Sequence, residues 1–164
     1  MELMSPRKEH EKIKTLLGRM VAAYAEVRDI DIESVASTTF QRRDLDRGFE
    51  ADEAFYIEHA DEVRSKEELD LTIDPPPDLV IEVEITSPAI KKLNVYAAMK
   101  VPEVWRHDGE RLRVFRLHDD DYLEQDVSSA LPGFPITSAQ SLISERLDRG
   151  EITLLKEFRG QIEA

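Results

Sequence analysis

The sequence predicts a single α/β domain built on a mixed sheet. Three observations point there. Residues 78–85 (DLVIEVEI) alternate between an apolar face and an acidic one, as a strand does. A helix-start signal, Ser87-Pro88, follows directly, and a second strand-like stretch begins at Val101. A strand–helix–strand step of that kind makes a parallel pair. The order around it is helix, strands, helix, strands, helix, so the rest of the sheet is antiparallel.

Each element has a local reason. Ser5-Pro6 places an N-cap residue before a proline suited to the first helical turn. Ile13, Leu16, Leu17, Met20, Val21 and Tyr24 then recur at helical spacing. Glu9 and His10 extend that stripe towards its start, and Glu11 falls on the opposite side. Residues 32–40 (IESVASTTF) are rich in β-branched side chains and read as a strand. Residues 52–58 read as a second strand, beyond a polar turn containing Gly48. Residues 59–72 are charged and without strong period, a loop or short helix. Pro75-Pro76-Pro77 forces an extended entry into 78–85. There Leu79, Ile81, Val83 and Ile85 share one face, while Asp78, Val80, Glu82 and Glu84 share the other. Helix 88–100 puts Ile90, Leu93 and Ala97 on its inner stripe. Lys92 and Tyr96 stand at its edge, one turn apart, and Lys91 points away. Strands at 101–105 and 111–117 flank an Asp108-Gly109 turn. Helices near 138–148 and 151–162 follow, divided by Gly150.

Composition narrows the chemistry. The chain has 164 residues, enough to bury a core, and no Cys, which excludes thiolate zinc sites and Cys catalysis. His59, His107 and His118 have no zinc-like spacing. No apolar run approaches membrane-spanning length, and no signal peptide is evident, so a cytoplasmic protein without a membrane partner is expected. The net charge of −13 argues against a broad basic surface for nucleic acid. It is unevenly spread, however. Residues 51–87 hold 2 basic and 12 acidic groups, while the flanking stretches are nearly balanced.

That acidic stretch contains the candidate site. Glu82 and Glu84 point the same way, two residues apart, on a strand whose other face is fully apolar. Such carboxylates repel unless one is protonated or a cation lies between them. A hard cation, Mg²⁺ or Mn²⁺, suits them. A strand at 52–58 beside 78–85 would bring Asp52 near Glu82, and Lys92 could reach back over the end of the acidic strand. Each residue alone has a plainer explanation: a turn aspartate, a snorkelling lysine, a solvated acidic face. Together they are the parts needed for phosphodiester hydrolysis.

The chain resembles the restriction-endonuclease-like proteins of the PD-(D/E)xK nuclease superfamily. The resemblance is carried by MSPRKEHEKI at 4–13, STTFQRRDLDRGFEADEAFYI at 37–57, DPPPDLVIEVEITSP at 74–88 and KKLNVYAAMKVPEVWR at 91–106. It implies an αβββαβ core with a mixed central sheet flanked by helices. It also implies an endonuclease that hydrolyses DNA, with Asp52, Glu82 and Lys92 catalytic and Asp52, Glu82 and Glu84 as metal ligands. Asp78, His10, Glu9 and Tyr96 are further candidates. Two departures stand out. Ala51 precedes Asp52 where the family usually has Pro, and Glu84 replaces the lysine of E-x-K, with Lys92 matching the lysine of the next helix. The alternative is a catalytically inactive nuclease-fold module that binds nucleic acid or a partner protein. Arg42, Arg43, Arg47, Lys91, Arg106, Arg111, Arg113 and Arg116 would then neutralise phosphates. A homodimer is expected if both strands of DNA are cut.

Overall fold

The computed structural model describes residues 6–36, 38–42, 47–85 and 90–163. The helix-start residues Ser5 and Ser87-Pro88, and Arg43, lie outside the described residues, as do the side chains of Arg47, Ile90 and Lys91. The elements run α1 (Pro6–Val27), β1 (Glu33–Ser34), β2 (Thr39–Arg42), β3 (Arg47–Glu50), β4 (Glu53–Tyr56), α2 (Ala60–Val63), β5 (Leu79–Val83), α3 (Ile90–Ala98), β6 (Glu103–His107), β7 (Leu112–His118), β8 (Asp121–Gln125), α4 (Ile136–Ser144) and α5 (Glu151–Glu163).

Six strands form one mixed sheet in the order β1-β4-β5-β6-β7-β8. β5 and β6 are parallel, joined across α3, and every other neighbouring pair is antiparallel. The sheet is central and flanked by helices, as the fold class required.

The alternation in β5 explains the layers. Leu79, Ile81 and Val83 pack on one side with Ile13, Leu16, Leu17, Met20 and Val21 of α1 and with residues of α4 and α5. Val80 faces the other side, with Tyr96 and Met99 from the α3 segment and Val104 of β6. Both faces of the strand are therefore buried, as a central position demands. On the α1 side, Gly18 sits against β4. A Cβ there would come within 3.3 Å of the Glu53 carboxylate, so only glycine lets helix and strand approach this closely. At the β6–β7 hairpin, Gly109 has φ +102°, and Asp108 Oδ1 accepts the N–H groups of Glu110 and Arg111.

Three sequence expectations are corrected. Residues 32–40 are not one strand: β1 pairs with β4, whereas β2 pairs only with β3 in a separate hairpin. The polar segment 121–125, read as no element, forms edge strand β8 on β7. In α3 the fully buried residue is Tyr96 (1% exposed), so the helix is turned from the predicted Leu93–Ala97 stripe. A lysine and a tyrosine on one face look like an outer surface until a buried carboxylate lies beneath them.

Candidate active site

The register of β4 against β5 pairs Glu53 with Ile81 and so sets Asp52, at the entrance to β4, beside Glu82. The backbone N–H of Val83 donates to Asp52 Oδ2 at 2.8 Å. His10, in the first turns of α1, brings Nε2 to 3.1 Å from the same oxygen. The wheel argument for α1 thus put His10 on the correct side. Glu9 goes elsewhere and pairs with Arg146.

Glu82 is 1% exposed and lies beneath α3. The Tyr96 hydroxyl donates to its Oε1. Lys92 Nζ lies 3.2 Å from its Oε2 and also 3.2 Å from Glu84 Oε1, so one ammonium bridges two carboxylates. Lys92 and Tyr96 reach the same group because they stand one helical turn apart. Asp52, Glu82, Glu84, Lys92, Tyr96 and His10 are therefore brought together at the C-terminal end of β5.

The electrostatics follow from the crowding. Burial and the adjoining Asp52 push the Glu82 carboxyl up to about 9, against the smaller opposing pull of Lys92. At neutral pH, and without a further cation, Glu82 holds a proton. Burial opposes the charge on Lys92, but Glu82 and Glu84 outweigh it and hold the ammonium above its ordinary range.

Asp78 is not part of this constellation. It shares a face with Glu82 but stands at the opposite end of β5, four residues back, which is about 13 Å along a strand. Its Oδ2 accepts the N–H groups of Ile57 and His59, and its Oδ1 lies 2.8 Å from His59 Nδ1. It fastens the chain leaving β4. Glu58, His59 and Asp78 form a cluster in which one donor atom from each lies within 4.8 Å of the others. Glu103 is a second buried carboxylate that sequence reasoning did not single out. It faces the α1 side of the sheet, accepts from Trp105 Nε1 at 2.7 Å and from the N–H groups of Ser129 and Ala130, and is thereby satisfied as an anchor for 128–131.

Among the described residues, no helix is long and apolar enough to cross a membrane. A family model named Uma2, described as "Putative restriction endonuclease", matches residues 1–145. Among solved structures, the fold is similar to that titled a putative nuclease belonging to DUF820 from Anabaena variabilis ATCC 29413. The TM-score is 0.54 at 16% identity, covering 97% of this chain and 86% of that one. No curated protein matches.

Proposed function

The chain belongs to the Uma2 family of restriction-endonuclease-like proteins, and from that premise we propose that it is a metal-dependent endonuclease acting on DNA. The observation that carries the reading is the meeting of Asp52 and Glu82 at the end of β5, with Lys92 on Glu82. Two neighbouring carboxylates that cannot both ionise alone make a donor set suited to a small divalent cation. Asp52 and Glu82 would hold Mg²⁺ or Mn²⁺, with Glu84 adjoining and water filling the remaining positions. The ion would polarise the phosphoryl oxygen and activate a water. His10 and the Val83 N–H orient Asp52. Tyr96 and Lys92 orient Glu82, and Lys92 would offset charge that develops on the phosphate.

The test is cleavage of plasmid and single-stranded DNA with Mg²⁺ or Mn²⁺. Wild type is expected to cut, and Glu82→Ala to lose cutting at least a hundredfold; equal activity in the two would overturn the reading. One observation favours a second reading. Lys92 already bridges Glu82 and Glu84, as it would in a nuclease-fold module that binds without cutting. Calorimetric titration with Mn²⁺ separates the two, because the inactive module shows no binding that Glu82→Ala removes. A homodimer suits a two-stranded substrate; light scattering at micromolar concentration reads it.

A further inference from the structure

The row of residues containing Glu82 continues across the sheet. Glu82 is opposite Arg106 on parallel β6, and Arg106 is opposite Arg113 on antiparallel β7. Residues opposite one another share a face, so both arginines lie on the α3 side of the sheet, in line with the carboxylates. Like charges placed directly across two strands repel. Neither arginine is neutralised in the usual way. Both are half-buried, and the Nε of each is buried without a hydrogen-bond partner among the described residues. Arg106 forms no ion pair with Glu82, whose partner is Lys92. Arg113 is near enough to Asp108 to lower its carboxyl, yet forms no ion pair with it. Other arginines of the fold are engaged: Arg116 lies 3.6 Å from Glu103, Arg42 donates to the Ala98 carbonyl, and Arg146 pairs with Glu9.

We propose that Arg106 and Arg113 form a two-guanidinium seat for a backbone phosphate of the nucleic acid, neighbouring the phosphate that faces Asp52 and Glu82; this rests on the nuclease reading above. Guanidinium forks match phosphate oxygens with parallel N–H groups. An anion between the two arginines removes their repulsion and supplies the missing acceptors for both Nε–H groups. Their place in the Glu82 row sets the seat one and two strands from the carboxylates, so the substrate backbone would run across β5, β6 and β7.

The test compares wild type with Arg113→Gln and with Arg106→Gln/Arg113→Gln. The probe is a fluorescein-labelled 20-nucleotide DNA, single-stranded and duplex, in Ca²⁺. Anisotropy is read from 50 to 200 mM salt. The double variant is expected to bind on the order of tenfold more weakly or worse. Its log K against log salt slope should fall by about 1.4 to 1.8, at roughly 0.7 to 0.9 per phosphate contact, and that of Arg113→Gln by about half as much. Unchanged affinity and slope in the double variant would overturn the proposal, as would an absence of DNA binding by wild type. The unfolding midpoint of each variant is measured alongside. If the double variant is unfolded, the slope change of Arg113→Gln decides. Failure of the nuclease reading shows separately, as Mn²⁺-dependent cleavage that Glu82→Ala does not change.

Discussion

Glu82 is a buried carboxyl that its surroundings prefer to keep neutral. Its folded pKa, about 9, lies above the ordinary 4.5. Between those values the unfolded chain has released the proton and the folded chain keeps it, so this group makes stability fall as pH rises from 4.5 towards 9. Glu82→Gln removes that term. The variant is expected to unfold at a higher temperature than wild type at pH 8, by several degrees, with the gain shrinking towards pH 5; scanning calorimetry without added metal checks it. The same variant should lose metal-dependent cleavage. His107 runs the other way. Burial, aided by Arg146, lowers it to about 4 from 6.5. Stability linked to His107 is present above 6.5 and is lost as pH falls towards 4, by up to about 3 kcal/mol. Urea unfolding at pH 7 and pH 4.5 should show a smaller acid loss for His107→Gln than for wild type.

At the scale of elements, β5 was the most legible part of the chain. Its alternation named both buried faces, and the helix after it announced the parallel step to β6. The same period of two could not separate Asp78 from Glu82, because it reports a face and not a position along the strand. β8 left no trace for a related reason. Asp121–Gln125 is an edge strand with no fully buried residue, so no apolar alternation was required of it. α3 was misread in rotation only, since Lys92 and Tyr96 answer to a carboxylate on another element. That dependence gives a prediction for α3. Lys92→Met should lower single-turnover cleavage on the order of a hundredfold. Tyr96→Phe should cost about 1–3 kcal/mol in urea unfolding at pH 7, because it strips a donor from a buried carboxyl.

Across the whole molecule, the charge asymmetry marked the region of the site before any geometry was known. Asp52, Glu82 and Glu84 all fall in the stretch that holds 2 basic and 12 acidic groups. What composition could not supply was which of those acids meet. Asp52 and His10 are 42 residues apart, and only the packing of α1 on the sheet joins them. The fold that joins them is one continuous core on that side, in which Leu154, Phe158 and Ile162 of α5 pack with α1. Phe158→Ala is expected to cost about 3–5 kcal/mol, lowering the unfolding midpoint by roughly 6–20 °C, as thermal denaturation would read.

The packing of α5 on α1 also orders events in time. α1 leaves the ribosome early with Ile13, Leu16, Leu17, Met20 and Val21 uncovered, and part of what will cover them is made more than a hundred residues later. Until then the helix is an exposed apolar stripe, prone to the wrong partners. His10 is carried by that helix, so its contact with Asp52 closes only when α1 is seated. The constellation at the end of β5 would be complete only once nearly all of the described chain has been synthesised, and a nascent chain would pass through most of its translation with the site still open.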